Sequence, residues 1–318
     1  MVKKTNAFFN FFLKDAGSKG FVFSIISVFL TSIVIVFFIL HYNSSFVNKS
    51  SFENVKKLNS VIDDFENDLD RGLYMTSFRS VIAEIEKVTK TGVFLNDTQS
   101  AFKEAMLNSS VENISLDILV NSSFKDWLDK TKELLFKKGV LFSYSIVDLS
   151  ISQNNFSHIK VFLSLDYNVS DFKNSKFFVR QVNKSVFLPI QGLEDPVYFV
   201  FSNGRIANIV NFTFNKDVFY LINMSFNNSL YVPNNLSPSF LMRLEGNFSN
   251  SSFGIESFVN GQRFFNIGVL NFSGRSSVDT LYFSNIFHSV VCVNNTPDWF
   301  RLDVDRTSFY DNVVVVSC

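Results

Sequence analysis

Residues 21–40 read FVFSIISVFLTSIVIVFFIL, a stretch without charge, proline or glycine. As a helix it measures about 30 Å, the thickness of a bilayer's hydrocarbon core. It is apolar all round, which argues against a helix with one solvated face. The sequence therefore predicts a transmembrane helix at 21–40. A secretory signal peptide is the competing reading, but cleavage sites carry small residues where this chain has Phe37-Phe38-Ile39-Leu40-His41.

Charge sets the direction. Lys3, Lys4, Lys14 and Lys19 precede the stretch against the single acid Asp15, and no cation follows until Lys49. The positive-inside rule then makes residues 1–20 a cytoplasmic leader. The remainder is expected outside, as a single-pass protein of the cell membrane.

Glycosylation sequons agree with that direction. Seventeen Asn-x-Ser/Thr triplets occur, and none precedes residue 21. Shuffling this composition would leave about six. The expected acceptors are Asn43, Asn48, Asn96, Asn108, Asn113, Asn121, Asn155, Asn168, Asn183, Asn211, Asn223, Asn227, Asn247, Asn250 and Asn271. Asn235 and Asn294 are weak acceptors because a proline follows each triplet. In alternating stretches such as Asn168-Val169-Ser170, the polar residues are expected to share the solvent face and the apolar one to enter the core.

The chain has 318 residues and zero formal net charge, which removes the electrostatic case for nucleic acid as a partner. Phenylalanine is abundant, at 41 residues. The two cysteines, Cys292 and Cys318, either stay as thiols or form a disulfide closing a short loop, which would contribute roughly 3 kcal/mol.

Beyond residue 40, apolar residues at Phe52, Val55, Leu58, Ile62, Phe65, Leu69 and Leu73, then Phe78, Ile82, Ile85 and Val88, have helical spacing. Gly72 loosens this helix in its middle and Gly92 stops it. The acids Asp63, Asp64, Glu66, Asp68 and Asp70 read as a solvated face. Ser123 and Asp126 form a capping pair for a second helix closed by Lys137-Lys138-Gly139. Residues 41–139 are thus expected to be an extracytoplasmic helical stalk.

After Gly139 the period changes to two. Ile159, Val161, Leu163, Leu165, Tyr167 and Val169 alternate with polar residues, and similar runs are read as strands at about 140–151, 176–190, 197–201, 206–214, 217–226, 264–273, 278–284 and 313–317. Residues 140–318 are expected to form an antiparallel β-rich domain, making the fold class α+β.

Reactive chemistry is sparse. His41, His158 and His288 lie far apart, and no metalloprotease, hydrolase or phosphate-loop motif occurs. The acid pairs Glu194-Asp195 and Asp303/Asp305 remain; Asp303 and Asp305 would share one strand face, a geometry that suits calcium or a glycosidase, but two acids without further ligands are weak evidence for either. No catalytic residue, metal ligand or cofactor is therefore expected.

The junction Ser18-Lys19-Gly20-Phe21-Val22-Phe23-Ser24-Ile25 resembles the class III signal of type IV pilins and archaeal pilin-like surface proteins. Ile25 stands where the bacterial pattern has Glu. Further short stretches resemble the archaeal group: Leu188–Pro196, Phe240–Gly246 with Gly254–Ser257, and Asp298–Asp303. The resemblance implies cleavage by a prepilin peptidase between Gly20 and Phe21. It also implies self-association, or association with pilin partners, through the N-terminal helix.

The expectation is a pilin-like surface glycoprotein, anchored in the membrane, with a structural or adhesive role. The alternative is a membrane-tethered extracellular glycan-binding or hydrolytic domain using Asp303, Asp305 or Glu256.

Overall fold

The computed structural model describes residues 18–172, 177–225, 229–266, 268, 274–284 and 288–317, apart from the side chains of 18–26, 41–55 and Ser225. The chain divides into two units, Met1–Ile62 and Asp63–Cys318.

The first element is one uninterrupted helix, α1 (Ser18–Thr91). This corrects the expected transmembrane helix at 21–40: among the described residues, no helix is long and apolar enough to cross a membrane. The apolar side chains described on it, from Val28 to Leu40, are exposed. The expected cleavage point, Gly20–Phe21, lies inside α1 at residues whose side chains are outside the described set.

In the second unit, α1 buries Phe65, Leu69, Leu73, Val81, Ile85 and Val88. The helix ends where Gly92 takes φ 68° and donates its N–H to the Val88 carbonyl at 2.8 Å. Lys87, almost fully buried, donates to the carbonyls of Val93 and Phe94 just beyond and pairs with Glu112. Helix α2 (Thr98–Asn108) is capped by Asp97, whose carboxylate accepts from the N–H groups of Gln99 and Ser100. A small hairpin follows, β1 (Ser110–Val111) and β2 (Ile114–Ser115). Helix α3 (Phe124–Lys137) starts with the full reciprocal capping box between Ser123 and Asp126.

Three long strands come next in an antiparallel meander: β3 (Val140–Asn155), β4 (His158–Asp171) and β5 (Phe177–Pro189), with β4 in the middle. The alternating residues Ile159 to Val169 on β4 are all buried. On that face Phe65 of α1 meets Phe142 at 4.9 Å and Tyr167 at 5.1 Å between ring centroids. The acidic face of α1 is exposed at Asp63, Asp64, Asp68 and Asp70, of which Asp70 accepts from Lys184, while the half-buried Glu66 accepts from Tyr167 and Arg180. Glu66 is thereby held below the usual carboxylate range, first by the Tyr167 hydroxyl and then by Arg180.

Short elements complete the unit. They are α4 (Pro196–Phe201), β6 (Asn211–Phe212), α5 (Val218–Ser225), β7 (Leu230–Pro233), α6 (Phe240–Leu244), β8 (Ile255–Ser257), α7 (Gly261–Asn266), α8 (Asp279–Phe283), β9 (Val290–Val293), β10 (Leu302–Asp303) and β11 (Val315–Val316). Strands β6 and β7 pair in parallel, whereas β7–β8, β9–β10 and β9–β11 are antiparallel. The described chain is α+β, with antiparallel pairing except at β6–β7, but four runs expected as strands are helical where described: 197–201 in α4, 218–225 in α5, 264–266 in α7 and 279–283 in α8. Asp195 accepts from Val197 N at 3.0 Å and Asp217 from Phe219 N at 2.8 Å, so N-caps commit the first two to helix. One aromatic core joins Phe258, Phe300, Tyr310 and Leu221, and another joins Tyr198, Phe264 and Phe283.

Candidate functional site

The densest polar chemistry lies around β8. Successive residues of a strand point to opposite faces, so Glu256 and Ser257 look into different surroundings. Each enters a buried arginine–carboxylate cluster.

On the Glu256 side, Arg306 Nε donates to Glu256 Oε2 at 2.8 Å and Arg306 Nη1 to Asp303 Oδ2 at 3.1 Å. Arg306 Nη2 donates to the Leu236 carbonyl at 2.8 Å. Glu256 also accepts from Asn234 Nδ2 at 2.7 Å, from the Tyr310 hydroxyl at 2.5 Å and from the Ser237 hydroxyl. Burial pushes the Asp303 carboxyl up, against the opposing pull of Arg306.

On the Ser257 side, Arg243 pairs with both Asp195 and Asp279, the second at 2.6 Å. Arg243 Nη1 also reaches the Ile255 carbonyl at 3.3 Å. Ser257 donates to Asp279 at 2.8 Å, and the Tyr231 hydroxyl donates to Asp195 at 2.7 Å while accepting from Asn208. Burial raises the Asp279 carboxyl. Burial alone would lower the Arg243 guanidinium, but Asp195 and Asp279 outweigh it and hold it well above its ordinary value.

Both clusters are sealed. Arg243, Asp195, Asp279 and Glu256 have no exposed surface, and every one of these carboxylates is taken by a guanidinium. Catalysis needs a group that reaches a substrate, and these groups are committed to partners within the interior. Of the three acids named for hydrolysis, Glu256 and Asp303 share Arg306, whereas Asp305 is on the surface. Four stretches singled out in the sequence, carrying Asp195, Arg243, Glu256 with Ser257, and Asp303, converge here. The pairing roles of Arg243 and Arg306, and the parts played by Tyr231, Tyr310 and Asn234, do not follow from those motifs. An arginine set inside Phe240-Leu241-Met242-Arg243-Leu244 was the available signal, since a cation among apolar residues is buried only with a partner.

The surface offers other chemistry. Of the expected acceptors, Asn96, Asn108, Asn113, Asn121, Asn155, Asn168, Asn183, Asn223, Asn247 and Asn250 are exposed and Asn211 is half-buried. The side chains of Asn43 and Asn48, and the whole of Asn227 and Asn271, lie outside the described residues. Among the described residues the buried asparagines are Asn208 and Asn234, and both fall outside sequons. Asn168 is exposed as expected, but Ser170 of the same triplet is buried.

Cys292 is disulfide-bonded, while Cys318 lies outside the described residues. Strand β11 sets Val316 opposite Cys292. Nδ1 of His158 is 2.8 Å from the Ser157 hydroxyl, and His288 is exposed. A groove of about 540 Å³ runs between α3 and β3, lined by Asp129, Lys132, Glu133, Phe136, Lys137, Leu141 and Phe142. Among the described residues, no group of three or more His, Cys, Asp or Glu could hold a metal ion. No protein-family model, curated protein or solved structure matches this chain.

Proposed function

We propose that this chain is a glycoprotein of the cell surface with a structural or adhesive role. The observation that carries the reading is the placement of its sequons: the acceptor asparagines whose side chains are described are exposed, apart from the half-buried Asn211, and the asparagines buried among the described residues, Asn208 and Asn234, are not acceptors. A disulfide at Cys292 suits the same oxidising surroundings. Two of the three carboxylates offered for hydrolysis, Glu256 and Asp303, are locked by Arg306, which favours display or adhesion over turnover. Pilin-type processing belongs to the proposal: a cut between Gly20 and Phe21 would leave a chain that begins with the apolar part of α1, free to pack against other copies.

Intact mass and N-terminal sequencing of the chain from its native source test this reading. The expected result is glycan mass removable by an amidase, with aspartate left at the exposed acceptors, and an N-terminus at Phe21. An unmodified mass would overturn the surface glycoprotein, and an N-terminus at Met1 or Val2 would overturn pilin-type processing.

A further inference from the structure

The meander has two edges, and they are finished differently. On β3, the Gln99 side-chain amide takes the place of a neighbouring strand: its Nε2 donates to the Leu149 carbonyl at 3.2 Å and its Oε1 accepts from Ile151 N at 3.0 Å. Strand β5 pairs with β4 from Phe177 to Pro189 without a bulge. Among the described residues, no strand pairs with its other side. A long regular edge presents a row of open N–H and C=O groups, and proteins ordinarily blunt it with lysine, proline, a bulge or shortness. Here the only proline closes the strand, and the two cations, Arg180 and Lys184, are drawn onto Glu66 and Asp70 of α1. The outer face instead shows Phe177, Val179 and Phe187, which are 69 %, 68 % and 52 % exposed.

We propose that this edge joins the same edge of a second copy of the chain, antiparallel and centred on Val182. That register sets Phe177 against Phe187 of the second copy at both ends. It sets Gln181 against Asn183 near the centre, where two amides can exchange hydrogen bonds. On the inner face it brings Arg180 opposite Lys184 of the second copy, and their carboxylate partners remove the repulsion that would otherwise forbid this register. Because Gln99 closes the β3 edge, the pairing stops at two copies, a closed isologous dimer and not a growing sheet. Side chains on the outer face stand perpendicular to the strand edge, so a glycan on Asn183 leaves the backbone groups open.

The test uses the full chain in mild detergent, which masks the exposed apolar side chains of residues 28–40. Sedimentation velocity over a range of concentrations should show a monomer–dimer equilibrium. In V182C the two Cα atoms of residue 182 would lie about 5 Å apart, within disulfide reach, so mild oxidation should link the copies. In S185C the equivalent atoms would be about 20 Å apart, and no link should form. The double variant F177D/F187D should weaken the dimer about tenfold or more, with an unchanged thermal midpoint when both proteins are compared as monomers at low concentration. A monomer at every concentration overturns the proposal. So do oligomers in which V182C does not link, which would place the association elsewhere, or equal linking of V182C and S185C.

Discussion

Trp127 of α3 lies against the backbone of α1 at Gly72, so close that a Cβ added there would meet the indole ring at 2.5 Å. Phe65 and Phe124 flank the same indole, at centroid distances of 6.2 and 5.8 Å. Glycine here is the gap into which α3 docks.

Two effects oppose one another at Gly72, and their signs differ. Glycine to alanine inside a helix stabilises by roughly 1 kcal/mol when nothing is touched. Overpacking against a rigid ring costs about 1–3 kcal/mol. G72A is therefore expected to lower the thermal midpoint, and G72A/W127L to recover it. A midpoint raised by G72A alone would contradict the packing.

Glycine 254 is under a harder constraint. A Cβ there would overlap the carbonyl oxygens of Ser237 and Asn234, which are backbone atoms and cannot rotate away. Their side chains hold Glu256. G254A should cost more than about 3 kcal/mol, among the largest effects of any single change. Far-ultraviolet circular dichroism with a denaturant titration reads the loss.

Arg306 is the sole guanidinium on both Glu256 and Asp303 among the described residues. R306M leaves two carboxylates in the interior with no cation, and breaking a buried pair in this way costs about 3–5 kcal/mol. The triple variant R306M/E256Q/D303N removes the orphaned charges and should regain part of that loss. A denaturant midpoint for R306M equal to that of the native chain would show the cluster to be dispensable.

Glu84 on α1 has both carboxylate oxygens buried without a hydrogen-bond partner. Burial, then the charges of Glu245 and Asp97, push its pKa well above the ordinary 4.5. Between the unfolded and folded values the native state binds the extra proton, so stability contributed by the protonated form is present below 4.5 and lost as pH rises toward the folded value. E84Q should then be near neutral at about pH 4 and stabilising at about pH 8. Equal effects at both would rule out this titration.

Much of the architecture could be read from residues alone where a local signal is strong. Ser123 with Asp126 announces α3, Gly92 ends α1, and the alternation from Ile159 to Val169 marks a strand. The runs at 197–201, 217–226 and 278–284 misled because short apolar segments do not reveal their period. Caps were present in Asp195-Pro196 and Asp217, and a proline in the first turn favours helix. The twenty apolar residues at 21–40 suggested a span, whereas the structure draws them into a helix that runs on to Thr91. The β8 clusters were beyond reach for another reason. Arg243 meets Asp195 across 48 positions and Arg306 meets Glu256 across 50, and no local pattern encodes such a pairing.

Those separations order events during synthesis. A nascent chain that has emerged only as far as Glu256 carries a carboxylate destined for the interior whose counter-cation is still to be translated. Settling must wait for Arg306 and Tyr310, so the C-terminal half acts as its own completeness check. A chain cut short before residue 306 would lack the cation that offsets the burial of Glu256.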